Sequence, residues 1–182
     1  VGQVPLSRWD AASAPVADAG VAARPRHGGF VAGAQRFDNG AFGISHAEAS
    51  AMDPQQRLLL ERGYTALHAS GLERTALAGS LTGVFVAIAA GEFDGLVASL
   101  PAGGSVFAAT GGSHSIASGR LSYVLGLHGP CVSCDTACSA ALVALHGALR
   151  ALQLAESGAA LAAGVHLMLA PLTASRFAAA GM

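Results

Sequence analysis

The chain has 182 residues, 52% of them hydrophobic and 12% charged, with ten basic residues, all of them Arg, and a net charge of −1. That balance gives no electrostatic case for a nucleic-acid or anionic-membrane partner, and the lack of Lys excludes Schiff-base and P-loop lysine chemistry within the chain. So few charges suit a chain that buries much of its surface, in its own core or against a partner.

Residues 1–50 read as loop-rich. Pro5, Pro15 and Pro25 punctuate them, and Gly28-Gly29 and Asp38-Asn39-Gly40 read as turns. The short apolar pieces at 29–32 and 41–44 are expected as buried strand or loop fragments. No low-complexity linker or internal repeat appears, so a single domain over 1–182 is expected.

The first strong helix is predicted from Asp53. Asp53 suits the N-cap, Pro54 suits the first helical position, and Gln56 completes a capping-box spacing. The helix should run to about Ala69, with Gly71 as its stop. Thr82 to Ala89 is continuous, apolar and rich in β-branched residues, which suggests a central strand covered on both faces. A short helix is expected at 91–100, closed by Pro101, and another at 113–125. A strand at 129–135, a helix at 139–154, a strand at 159–169 and a helix opening at Pro171 follow. Apolar strands alternating with helices argue for a layered α/β fold with a mostly parallel sheet. No apolar run reaches the ~18 residues needed to span a bilayer.

The residue best placed for chemistry is Cys138, between the 129–135 strand and the 139–154 helix. Unpaired N–H groups and the positive end of the helix dipole favour a thiolate there. Ala137, Ser139, Ala140 and Ala141 leave room around the sulfur. Sheets of this kind place reactive groups between a strand's C-terminal end and the next helix. Position alone is weak support, because a Cys beside a core helix is more often a small buried hydrophobe.

Cys131, Cys134 and Cys138 are clustered rather than dispersed, so they read as reduced thiols, not a disulfide framework. An intracellular setting is expected, in the cytoplasm or a plastid. Cys131-x-x-Cys134 has the spacing of half a zinc site but lacks a second pair, and no metal is expected. A nucleophilic Cys commonly works with a His. His146 is eight residues further along the same helix, ~12 Å away and about 80° round the axis. His114 and His128 precede the site and either could approach it. His27, His46, His68 and His166 read as surface or hydrogen-bonded histidines, and Arg57 and Arg120 as structural donors. Gly103-Gly104 and Gly111-Gly112 read as turns, not nucleotide loops.

Five ordered stretches resemble the β-ketoacyl synthases of type I modular polyketide synthases. They are Ser7-Arg8-Trp9-Asp10, the run from Met52 to Glu61 that begins Met52-Asp53-Pro54-Gln55-Gln56-Arg57, the run from Gly119 to Pro130, Asp135-Thr136-Ala137-Cys138-Ser139-Ala140, and Gly164-Val165-His166-Leu167-Met168-Leu169. The stretch from Glu61 to His68 is similar to protist (dinoflagellate or algal) members. The resemblance implies a thiolase-like, layered αβαβα fold, of which this chain is an incomplete N-terminal half. It implies that Cys138 accepts an acyl chain as a thioester from the phosphopantetheine arm of an acyl carrier protein. Its backbone N–H would serve the thioester oxyanion. Decarboxylative Claisen condensation with malonyl-acyl carrier protein would follow, with no cofactor held by this chain.

The family's two catalytic histidines, its lysine and its second oxyanion donor belong to the C-terminal half, and none of the seven histidines here matches their motifs. The family's first core strand, which precedes the Ser-Arg-Trp-Asp stretch, is also not in the chain. With Val1 in place of an initiator Met, the expectation is a piece of a longer protein, inactive in condensation by itself. The resemblance further implies a homodimer through the strand before Cys138, with the C-terminal half of the same domain as a packing partner. Two other readings stay open: a fatty-acid-type β-ketoacyl synthase, and a non-catalytic ketosynthase-like scaffold or dimerisation piece.

Overall fold

The computed structural model describes residues 1–11, 21, 23–89, 91–98 and 100–181. Pro15 lies outside them. In chain order the elements are β1 (Gly2–Gln3), β2 (His27–Gly28), α1 (His46–Ala51), α2 (Pro54–Ala69), α3 (Arg74–Leu77), β3 (Thr82–Ile88), α4 (Phe93–Val97), α5 (Ala108–Gly111), α6 (His114–Leu125), β4 (Cys131–Cys134), α7 (Ala140–Gln153), β5 (Ala159–Val165) and α8 (Pro171–Ala179). Single 3-10 turns precede several of them, including Ala137–Ser139 immediately before α7. The residues form two compact units, one of residues 1–34 with 168–182 and one of residues 35–167.

In the smaller unit β1 and β2 pair antiparallel, Gly2 with Gly28 and Gln3 with His27. The Arg8 guanidinium lies 4.9 Å from the Trp9 ring centroid and 5.7 Å from that of Phe30, and donates to the Met168 carbonyl at 2.9 Å. Arg24 donates to the Ala178 carbonyl at the end of α8. Residues 29–32 are exposed, contrary to the sequence expectation of a buried piece. Phe30 lies beside Gly2 and Gly28 of the β1–β2 ribbon and under the Arg8 guanidinium.

The larger unit is built on a three-stranded parallel sheet in the order β4-β3-β5. Every residue of β3 is buried. Its side chains alternate, as a strand requires. Val84, Val86 and Ile88 join a core with α2 and α6 residues such as Leu59, Leu60, Leu121 and Leu125. Phe85 and Ala87 face the other way, onto Ala140, Ala144, Ala148 and Ala151 of α7. The continuous apolar run therefore reports two covered faces, and the layers read helix–sheet–helix. The chain leaves β3 for β4 on one side and then crosses back over β3 to β5. Two parallel crossovers of one hand running in opposite directions must lie on opposite faces, which is where α6 and α7 sit.

The α2 ends are those the sequence predicts: Asp53 caps the N-terminus, and Gly71 follows the Ser70 C-cap with φ +86°. The capping box is not formed. Asp53 Oδ1 accepts from the Gln55 N–H at 2.7 Å, while the Gln56 side chain turns away to bond the Thr110 and Ser113 carbonyls, each at 3.1 Å. The burial of Gln56, 2% exposed, explains the change of partner. Two carbonyls and a guanidinium in the core need its three hydrogen bonds more than a helix end does. The last strand is shorter than expected, ending at Val165, where its partner β3 ends at Ile88.

Candidate active site

All three parallel strands finish on one side of the sheet, at Ile88, Cys134 and Val165. The chain leaves β4 at that edge and reaches α7 through Asp135 and the 3-10 turn Ala137–Ser139. Cys138 lies in this turn and is exposed. Sequence and structure agree on its place, at a strand-to-helix junction and not inside the core.

The turn has an unusual backbone. Ala137 has φ +53°, and it and Ala155 are the two non-glycine residues with positive φ among the described residues. The left-handed conformation costs an L-residue about 1–2 kcal/mol. At Ala155 the cost has an ordinary local reason. It closes α7, with the Glu156 N–H returning to the Ala151 carbonyl and the Ala155 N–H to Leu152, as helix C-termini commonly do. At Ala137 no helix ends.

What holds Ala137 is local hydrogen bonding. Asp135 Oδ1 accepts from the Ala137 N–H at 2.9 Å. The Ser139 hydroxyl shares its single proton between the Thr136 carbonyl and the Thr136 hydroxyl oxygen, both at 2.9 Å. The Ser139 N–H reaches the Thr136 carbonyl at 3.4 Å, and the Ala140 N–H bonds that of Ala137. In the run of four N–H groups from Ala137 to Ala140, three are therefore engaged. The Cys138 N–H between them has no hydrogen-bond partner among the described residues. From the motif itself Asp135, Thr136 and Ser139 read as turn and packing residues, but the unengaged N–H that their bonds leave does not follow from it. The signal was an Asp two residues before a small residue, the Asx-turn spacing.

The other two thiols do different work. Cys134 is half-buried against the α7 alanines, and its thiol donates to the Ala140 carbonyl at 3.7 Å. Cys131 is exposed on β4, an edge strand. Among the described residues no group of three His, Cys, Asp or Glu side chains could hold a metal ion.

None of His114, His128 and His146 is hydrogen-bonded to the Cys138 thiol. His114 opens α6, but its Nε2 accepts from the Gly91 N–H at 3.0 Å, so the ring is tied to the loop after β3. His128 lies before β4 begins, at the opposite end of that strand from Cys138, with its N–H on the Ser80 carbonyl. His146 is exposed on α7, two turns beyond the thiol.

The Met52–Glu61 stretch forms a buried hydrogen-bonded hub near the same sheet edge. Met52, Asp53, Gln55 and Gln56 are at most 2% exposed. Gln55 Oε1 accepts from the Leu167 N–H at 3.1 Å, which fixes the chain just beyond β5. Asp53 accepts from Gln55 through both carboxylate oxygens, and its own N–H bonds the Gly111 carbonyl. Arg120 donates Nε–H to Gln56 Oε1 at 2.8 Å and pairs with Glu48. Arg120 is thus the structural donor the sequence suggests. The Arg57 Nε is buried with no hydrogen-bond partner among the described residues. Desolvation pushes the Arg57 pKa down, opposed by the charges of Asp53 and Glu61.

The family model described as beta-ketoacyl synthase, N-terminal domain, matches residues 1–182. A mycocerosic acid synthase-like polyketide synthase of Mycolicibacterium smegmatis is 44% identical over 100% of this chain and 9% of its own length. The phthioceranic/hydroxyphthioceranic acid synthase of Mycobacterium tuberculosis is 43% identical over 100% of this chain and 9% of its own. The chain thus spans about a tenth of the length of the curated relatives it matches. Among solved structures, the ketosynthase from module 6 of the bacillaene synthase of Bacillus subtilis superposes with a TM-score of 0.82 at 33% identity, covering 99% of this chain and 28% of that one. The oxazolomycin ketosynthase domain of Streptomyces albus gives 0.82 at 34% identity, over 99% and 32%.

Proposed function

The chain belongs to the β-ketoacyl synthase family, with its thiolase-like fold, and on that premise we propose that Cys138 is the acyl acceptor of a polyketide ketosynthase. The observation that carries the proposal is the exposed thiol in the Ala137–Ser139 turn, beside its own unengaged N–H. The Cys138 thiolate attacks the carbonyl carbon of an acyl thioester on the phosphopantetheine arm of an acyl carrier protein. The tetrahedral oxyanion accepts from the Cys138 N–H, a donor already in place and free of competing bonds. The C–S bond to the carrier breaks, its thiolate takes up a proton, and the acyl group stays on Cys138.

In the complete domain, loss of CO2 from malonyl-acyl carrier protein supplies a carbanion. The carbanion attacks the Cys138 thioester, a C–C bond forms, and the Cys138 thiolate leaves. His114 is tied to the Gly91 N–H, and His128 and His146 lie away from the turn; the decarboxylation machinery is assigned to the C-terminal half of the domain. That half also accounts for the uncovered face of α7, where Leu142, Val143, Leu145 and Leu149 are 43–71% exposed. The open edge of β4, with Val132 44% exposed, is assigned to a second copy of the chain, in a homodimer.

The test is transfer of a labelled acyl group from acyl carrier protein to the intact protein. Label should appear on the wild type and not on Cys138→Ala. Equal labelling of both would remove Cys138 from the reaction.

A further inference from the structure

We propose that Asp135 and Ser139 are positioning residues for acyl transfer, clamping the turn so that the Cys138 N–H is kept for the oxyanion. The inference rests on the reading of Cys138 as the acyl acceptor and adds the groups that set its geometry. Ala137 in the left-handed conformation is not a preference of its own side chain, so something must hold it. Asp135 Oδ1 does so from one side, through the Ala137 N–H at 2.9 Å. The Ser139 hydroxyl does so from the other, through one proton shared between the Thr136 carbonyl and hydroxyl oxygens, each at 2.9 Å.

The clamp has a selective result. The N–H groups of Ala137, Ser139 and Ala140 all acquire acceptors, and the one between them does not. If the turn relaxed to right-handed helix, it would extend α7 backward and swing the Cys138 N–H onto the axis with the other first-turn donors. The thiol would remain exposed, but its own amide would no longer be set by this turn. The clamp therefore acts on attack at a carbonyl and not on the sulfur's access to other reagents.

That difference gives the test. A thioester passes through an oxyanion, whereas iodoacetamide alkylates sulfur by direct displacement without one. In the intact protein, the rate of acylation of Cys138 by hexanoyl-N-acetylcysteamine is divided by its rate of alkylation by iodoacetamide. Asp135→Ala should lower this ratio by about tenfold or more, since losing one oxyanion donor outright costs about 10²–10³. Asp135→Asn, whose Oδ1 still accepts from the Ala137 N–H, should restore the ratio to within about threefold of wild type. Ser139→Ala provides a second arm should Asp135→Ala fail to fold, and should also lower the ratio.

A ratio unchanged in Asp135→Ala or Ser139→Ala, or lowered as far by Asp135→Asn as by Asp135→Ala, would overturn the clamp while leaving Cys138 as acceptor. Absence of thioester acylation in the wild type, with alkylation intact, would instead overturn the acceptor reading and the clamp with it.

Discussion

Asp135 and Ala137, the latter with φ +53°, are joined by a single hydrogen bond, carboxylate Oδ1 to backbone N–H at 2.9 Å. The two left-handed alanines differ in what a change there should do. Ala155→Gly relieves strain at an ordinary helix end and should stabilise the protein by about 0.5–1 kcal/mol. A chemical-denaturation midpoint that fails to rise would contradict this. Ala137→Val, branched at Cβ, should destabilise by about 1–3 kcal/mol and slow acylation of Cys138 as well.

Gln56→Leu should be costly for a reason unrelated to chemistry. It removes the acceptor of the Arg120 Nε–H and the side-chain donor to the Thr110 and Ser113 carbonyls. Arg120 keeps Glu48 and the Ser113 carbonyl keeps the Ile116 N–H, so a loss of about 2 kcal/mol is expected from the Arg120 Nε–H and the Thr110 carbonyl left unpaired. Urea denaturation measures it; a loss under about 1 kcal/mol would mean that water replaces the amide.

Gly111→Ala should be worse tolerated than its size suggests. A Cβ built there falls 1.9 Å from the Ala51 carbonyl oxygen, which is backbone and cannot turn away. Either the Asp53 N–H to Gly111 carbonyl bond breaks or α1 shifts. A cost of about 3 kcal/mol or more is expected, seen as a lowered Tm.

The outer two thiols should be dispensable for acyl transfer. Cys131→Ser lies on the exposed edge of β4 and Cys134→Ala sits among α7 alanines. Neither thiol occupies the Ala137–Ser139 turn. Both variants should therefore accept an acyl group within about threefold of wild type. Loss of acylation in Cys131→Ser with the fold intact would show that the Cys131 thiol takes part in the transfer.

The parts legible in the sequence were those with a periodic or capping signal. The run of β-branched residues at 82–88 could be read as a doubly covered strand because both faces of β3 carry apolar side chains. Asp53-Pro54 and Gly71 marked both ends of α2 because caps are local chemistry. Cys138 was legible because a strand and a helix meet at it. Missing from the sequence reading were α1, whose cap is Ser45 accepting from the Glu48 N–H, and the Gln55–Leu167 bond, made across 112 residues. Partners that distant leave no local pattern. The capping-box reading of Gln56 failed for the same reason, since tertiary partners outcompeted the local one. The helix expected from 139 begins at Ala140, because the turn before it is set by Asp135 and Ser139 and not by helix propensity.

The most direct measurement of the central claim is the mass of the Cys138 peptide after the intact protein is mixed with an acyl-loaded acyl carrier protein. The account predicts a peptide spanning Cys131, Cys134 and Cys138 heavier by one acyl group, with fragmentation placing the acyl group on Cys138 and hydroxylamine removing it. An unmodified peptide, or an acyl group found on Cys131 or Cys134, would contradict it.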